Sequence, residues 1–264
     1  MYITIMTSTT KIHRPTATTL LALAALAVIA AGCGKTAERK DAAPVADTVQ
    51  TATATPNIIS GTFTDPRDGK TYRTVRIGTQ TWMAENLNFA TDSSACYDNA
   101  DSNCTKYGRL YNWHDAMTAC PAGWRVPSDE DWDSLALAVG GQREEDEDED
   151  GYYYWKFAGK KLKSTTGWNN WNDDGDNWRR PGNWRSGNGT DDFGFSALPG
   201  GIGTSGGEFC CAGDFGYWWS ATEYDASSVW LRDMGYRGGN VYRNDNDKSA
   251  RFSVRCLQDF AAPQ

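Results

Sequence analysis

The chain has 264 residues and a formal net charge of −8, with 34 acidic against 26 basic side chains. It therefore lacks the basic footprint that nucleic-acid binding or charge-driven docking on anionic lipid would need. Twelve tryptophans and 27 glycines, with no long aliphatic run beyond residue 31, predict a loop-rich domain with an aromatic core.

In chain order, Lys11 and Arg14 precede an apolar run over 20–31. Its length suits a signal-peptide core and falls short of a bilayer span. The string Ala30-Ala31-Gly32-Cys33 that closes it resembles the lipobox of bacterial lipoproteins. That resemblance implies removal of residues 1–32 as a signal peptide, lipidation of Cys33 and anchoring in the cell envelope through lipid. Gly34 stands where an Asp would retain some lipoproteins in the inner membrane, so the expected address is the outer membrane. Residues 33–57 are rich in Ala, Thr and Pro without apolar period and read as a flexible tether. One domain is expected over 58–260.

Within it, Asp68-Gly69 between β-prone segments predicts a hairpin across 62–77, and Gly78-Thr79 turns the chain into 80–83. A first helix is expected over 111–119, stopped by Cys120-Pro121. A second follows Pro127, with Ser128 as N-cap and Asp131 completing an acidic capping box. Trp132, Leu135, Ala136 and Val139 then fall on one apolar face, and Gly140-Gly141 ends the helix. The seven consecutive acids at 144–150 read as a solvated, self-repelling loop. Residues 152–157 read as an aromatic strand and 164–192 as long loops. Short strands return at 216–220, 228–234, 240–243 and 251–257. Two helices with several short strands give an α+β class.

Apart from Cys33 the chain holds six cysteines, Cys96, Cys104, Cys120, Cys210, Cys211 and Cys256. An even count in an exported protein reads as disulfides, and the lack of any CxxC pair argues against a zinc knuckle. The expected bridges are Cys96 with Cys104, closing an Asp/Asn-rich loop, and Cys120 with Cys256, tying the first helix to the C-terminal strand. Cys210 and Cys211 either bridge as neighbours or stay reduced.

Several strings carry a family resemblance. They include Gln80-Thr81-Trp82-Met83-Ala84-Glu85-Asn86-Leu87-Asn88, Tyr107-Gly108-Arg109-Leu110-Tyr111-Asn112-Trp113 and Cys120-Pro121-Ala122-Gly123-Trp124-Arg125-Val126-Pro127-Ser128. Farther on come Gly194-Phe195-Ser196-Ala197-Leu198-Pro199-Gly200-Gly201, Gly216-Tyr217-Trp218-Trp219-Ser220 and Phe252-Ser253-Val254-Arg255-Cys256. In this order they resemble the Fibrobacter succinogenes major paralogous domain family, across residues 58–259. The resemblance implies an exported or lipid-anchored protein and brings no established activity. Arg125-Val126-Pro127-Ser128-Asp129-Glu130-Asp131-Trp132 is also similar to a helix start of formylglycine-generating sulfatase-modifying proteins. That second resemblance implies a C-type-lectin-like scaffold, with two helices packed on short antiparallel strands. The separated cysteine pair of those oxidases has no counterpart here.

Candidate chemistry is sparse. His114 is the single histidine after the signal segment and reads as a surface or capping residue. Calcium is the one cofactor with candidate ligands. The acidic run is one. Asn170-Trp171-Asn172-Asp173-Asp174-Gly175 begins like an EF-hand loop, but Pro181 occupies the twelfth position. A looser loop would use Asp176 or Asp191. Asn244-Asp245-Asn246-Asp247 reads first as an Asx turn. Trp168, Trp171, Trp178 and Trp184 lie amid Asn, Asp, Arg and Gly, a composition suited to stacking on sugars or proteins. The alternative is that these rings pack loops onto the core. The leading reading is a non-catalytic, lipid-anchored binding module whose partner is a polysaccharide or a surface protein. The alternatives are an envelope enzyme, working by thiol redox at Cys210/Cys211 or as a carboxylate hydrolase, and a purely structural surface protein.

Overall fold

The computed structural model describes residues 58–147, 151–171 and 185–259. Strand Ile59–Thr64 folds back on Thr71–Ile77 in antiparallel register, Thr64 opposite Thr71. Between them Gly69 takes φ 74, a left-handed conformation that glycine enters without a Cβ penalty. Gln80–Met83 pairs with Thr71–Ile77, Leu257–Gln258 pairs with Gln80–Met83, and Trp124–Arg125 completes a five-stranded sheet.

A seven-stranded sheet runs, edge to edge, Leu110–Tyr111, Phe252–Ser253, Phe215–Glu223, Ser228–Gly235, Val241–Asp247, Tyr153–Lys156 and Gln142–Glu145. Its pairings are antiparallel apart from Trp218 with Ser253, which is parallel. The last segment of chain serves both sheets, with Phe252–Ser253 in the larger and Leu257–Gln258 in the smaller. Two short ladders join Ile202–Gly203 to Phe209–Cys210 and Asn170–Trp171 to Arg185–Ser186.

Strand outweighs helix by 38% to 17%, which overturns the expected α+β, C-type-lectin-like architecture. The longest helix, Asp129–Ala138, has 10 residues, whereas the central strands have 9, 8 and 7. Ser228–Gly235, where a strand is expected over 228–234, is buried at six consecutive positions, as a strand covered on both faces is. Strand also forms where loop is expected. Gln142–Glu145, which takes in the start of the acidic run, is an exposed edge strand on Tyr153–Lys156 rather than loop. Glu144 pairs with Lys156 at 2.8 Å, and the Arg143 guanidinium lies 3.7 Å from the Tyr153 ring centroid. A charged edge also discourages pairing with another chain.

The helices with cap signals form where the caps stand. Asn112 accepts the Asp115 N–H and starts helix Trp113–Ala119, leaving Tyr111 in a strand. Ser128 and Asp131 close both halves of their capping box at the start of Asp129–Ala138. Helices Asp101–Tyr107 and Ala158–Leu162 lack such caps and were not anticipated.

The core is aromatic. Trp132 from helix Asp129–Ala138 packs against Trp82 from the smaller sheet, Trp218 from the larger and Phe195, with ring centroids 5.0–6.4 Å apart. A second cluster packs Trp219 on Phe252 at 4.5 Å beside Tyr111 and Val254. Each such ring pair adds about 0.5–1.5 kcal/mol beyond area burial.

Candidate functional site

The residues shared with the family resemblance converge in the interior. Asn86, Trp218 and Arg255 come from three of its strings. Asn86 Oδ1 accepts from Arg255 Nη2 at 2.8 Å and from Trp218 Nε1 at 2.9 Å, while its Nδ2 donates to Tyr107 O at 2.8 Å. Arg255 is fully buried and donates further to Phe195 O at 2.5 Å. Burial pulls its guanidinium down to about 9. These residues hold the scaffold and leave the site to be sought elsewhere.

Among the described carboxylates, Asp129 and Asp133 are held by arginines. Buried Arg232 donates to Asp129 at 2.5 Å and to Asp133 at 2.8 Å, and Arg243 adds a bond to Asp129 at 2.7 Å. Tyr153 donates its hydroxyl to Asp133 at 2.6 Å. Two carboxylates tied to guanidinium groups inside the protein hold helix Asp129–Ala138 to the larger sheet. They do not flank a substrate bond as a glycosidase pair must. The sequence missed this network because Arg232 follows Asp129 by 103 positions.

A cleft of about 440 Å³ opens beside the short ladder of Asn170–Trp171 and Arg185–Ser186. Its volume falls in the range of small-ligand sites. Phe157, Trp171 and Tyr236 supply aromatic lining, and Lys160, Lys163, Arg185 and Arg237 supply cations. Trp171 and Arg185 are register partners, and the guanidinium carbon lies 5.2 Å from the indole centroid. Arg237 lies along the Tyr236 ring at 5.1 Å and donates to its hydroxyl at 2.7 Å.

Local backbone builds the walls. Phe157 caps helix Ala158–Leu162 in a left-handed conformation, φ 67, and is 55% exposed. A bulky residue there costs about 1–3 kcal/mol, and such strain gathers at binding and catalytic sites. Lys160, exposed on that helix, donates to Asn188 O at 2.9 Å. Lys163 is 1% exposed and donates to Gly235 O at 2.9 Å and Gly238 O at 2.8 Å. Burial, and then the charge of Lys160, pull its amine down to about 8. Gly187 admits no side chain, since a Cβ would collide with Asn169 O and the Tyr236 backbone.

Of the four tryptophans expected to bind ligand, two are among the described residues, and Trp171 is the one of these that lines the cleft. Trp168 is 4% exposed and donates its indole N–H to Ala197 O at 3.0 Å, so the expectation of an outward ring fails there. It packs in the main core cluster with Lys163 against its face at 4.8 Å. Trp178 and Trp184 lie outside the described residues, as do Cys33, the tether and Asp173, Asp174 and Asp176 of the calcium reading.

Cys96 is bonded to Cys104, Cys120 to Cys256 and Cys210 to Cys211. Cys210 is exposed on its two-residue strand. Asn244–Asp247 ends strand Val241–Asp247 instead of forming the expected turn. Asn244 donates to Asp233, Tyr152 donates to Asp245, and Asp247 accepts the Ser249 N–H at 2.8 Å. Asp191 is occupied by Ser196, whose N–H and hydroxyl both donate to it. Among the described residues no group of three metal-ligating side chains gathers. His114 is exposed on helix Trp113–Ala119. No described helix is long and apolar enough to cross a membrane.

A family model described as the Fibrobacter succinogenes major domain matches residues 75–258. No curated protein and no solved structure matches the chain.

Proposed function

This chain belongs to the Fibrobacter succinogenes major domain family, and from that premise we propose that it is a non-catalytic binding module of the cell envelope, taking polysaccharide in the cleft floored by Trp171. One observation carries the reading. Three aromatic side chains from separate segments, Phe157, Trp171 and Tyr236, line one cavity, and one of them is held there in a strained backbone conformation. Aromatic faces offer a sugar ring's C–H surface a flat apolar platform, while the surrounding amides and cations can hydrogen-bond its hydroxyls. The anchor rests on the N-terminal string ending in Cys33: lipid would hold the protein at the outer membrane and the segment 33–57 would carry the domain clear of the surface.

The test is binding of the full chain to a panel of immobilised polysaccharides, before and after Trp171→Ala. Loss of about 1–2 kcal/mol of affinity, a factor of roughly 5 to 30, is expected without a change in melting temperature. A panel with no binder, or a binder indifferent to Trp171→Ala, contradicts the reading.

A further inference from the structure

The chain is acidic overall, yet among the described residues the four charged ones that line the cleft are cations, Lys160, Lys163, Arg185 and Arg237. Lys163 bears most on the question. Its side chain is almost fully buried, and its hydrogen bonds go to two backbone carbonyls rather than to a carboxylate. Buried charges are ordinarily paired with an opposite charge, because desolvating an ammonium is costly. Here the nearby charge is a second ammonium, Lys160, which depresses the amine further. Lys160 is exposed and spends one bond on Asn188 O, which leaves donors for a ligand. A concave, partly desolvated wall concentrates the positive field of such a pair.

We infer that the cleft takes an acidic polysaccharide, with pyranose rings against Trp171 and Tyr236 and their carboxylate or sulfate groups facing Lys160 and the buried Lys163. The inference rests on the proposed binding role of the same cleft and adds the chemical class of its ligand. It rests on the two lysines; the two arginines lie along the aromatic rings. The anionic group supplies a counter-charge that no described residue places beside Lys163, so occupancy offsets a cost already present in the folded chain.

The test titrates the full chain with polygalacturonate, its carboxyl-reduced form, a sulfated galactan and single-stranded DNA. It uses the wild type, Trp171→Ala and Lys160→Gln, in salt from about 20 to about 200 mM. At least one acidic polymer is expected to bind about tenfold or more tightly than the reduced one, and to weaken as salt rises. Lys160→Gln is expected to lower affinity for that polymer several-fold and to leave the reduced polymer unaffected. Equal, Trp171-dependent binding of charged and reduced polymers overturns the ligand class and leaves the binding role standing. Failure of both acidic polymers overturns the ligand class, and the wider panel then decides the binding role. Single-stranded DNA binding as tightly as the acidic polymers, with the same loss in both variants, overturns a sugar ligand in favour of any flexible polyanion.

Discussion

Asn86 receives hydrogen bonds from Arg255 and Trp218 on one oxygen and donates with its nitrogen to Tyr107 O and Ser253 Oγ. Asn86→Ala would leave a buried guanidinium and an indole N–H without their acceptor. The guanidinium keeps the Phe195 carbonyl, so we expect a loss of about 2–3 kcal/mol in urea unfolding, the scale of buried donors left unsatisfied. An effect below about 1 kcal/mol would show that water replaces the amide there. Asp233 makes a second residue-level case. It is 6% exposed, and burial pushes its carboxyl up to about 7 against the Asn244 hydrogen bond and the Arg232 charge. A pKa raised above the ordinary value means that the folded state holds the proton more tightly. The contribution of this group is therefore complete below about pH 4 and is lost as pH rises through about 7. Asp233→Asn keeps the shape and removes the buried charge, so it should raise the melting temperature at about pH 8 and change it little at about pH 4.5. A lower melting temperature at the higher pH would contradict this. Trp168 and Trp171 show where residue reading stops. They stand three positions apart in one polar stretch, yet one is core and the other lines the cleft. Composition cannot separate them, because what decides is the Ala197 carbonyl from a distant segment that takes the Trp168 N–H.

Elements with local chemical signals were legible. The Asp68-Gly69 turn, the Cys120-Pro121 stop and the Ser128–Asp131 box each act within a few residues, and each left its mark in the sequence. The order of the two sheets was not legible, because it depends on pairings such as Trp218 with Ser253 and Leu257 with Trp82 that no local period encodes. The same limit hid the cleft, whose lining comes from four separate segments. The cysteines bridge some of this distance. Cys120 ends helix Trp113–Ala119, and Cys256 sits between the last strands of the two sheets, 136 positions away. Replacing both by Ser should cost about 2–5 kcal/mol in denaturant unfolding, since the bridge closes a long loop of the unfolded chain. The same change at Cys96 and Cys104, separated by 8, should cost less. Equal costs would show that native contacts rather than chain entropy set the value.

At the scale of the whole molecule, the buried aromatic interior and the lining of the cleft are built from different residues. Asn86, Trp218 and Arg255 fix an aromatic, disulfide-bonded interior, while Phe157, Trp171, Arg185 and Tyr236 line a cleft outside the quoted family strings. Under the proposed binding role, such a division would let the cleft lining change while the interior stays. The most direct test of the proposed binding role is the indole N–H region of a nitrogen–proton correlation spectrum of the full chain, titrated with polygalacturonate and with a sulfated galactan. The Trp171 resonance, assigned by its loss in Trp171→Phe, should move with ligand while those of Trp82, Trp132, Trp168, Trp218 and Trp219 stay in place. A shift concentrated on other indoles, with Trp171 unmoved, would contradict the account.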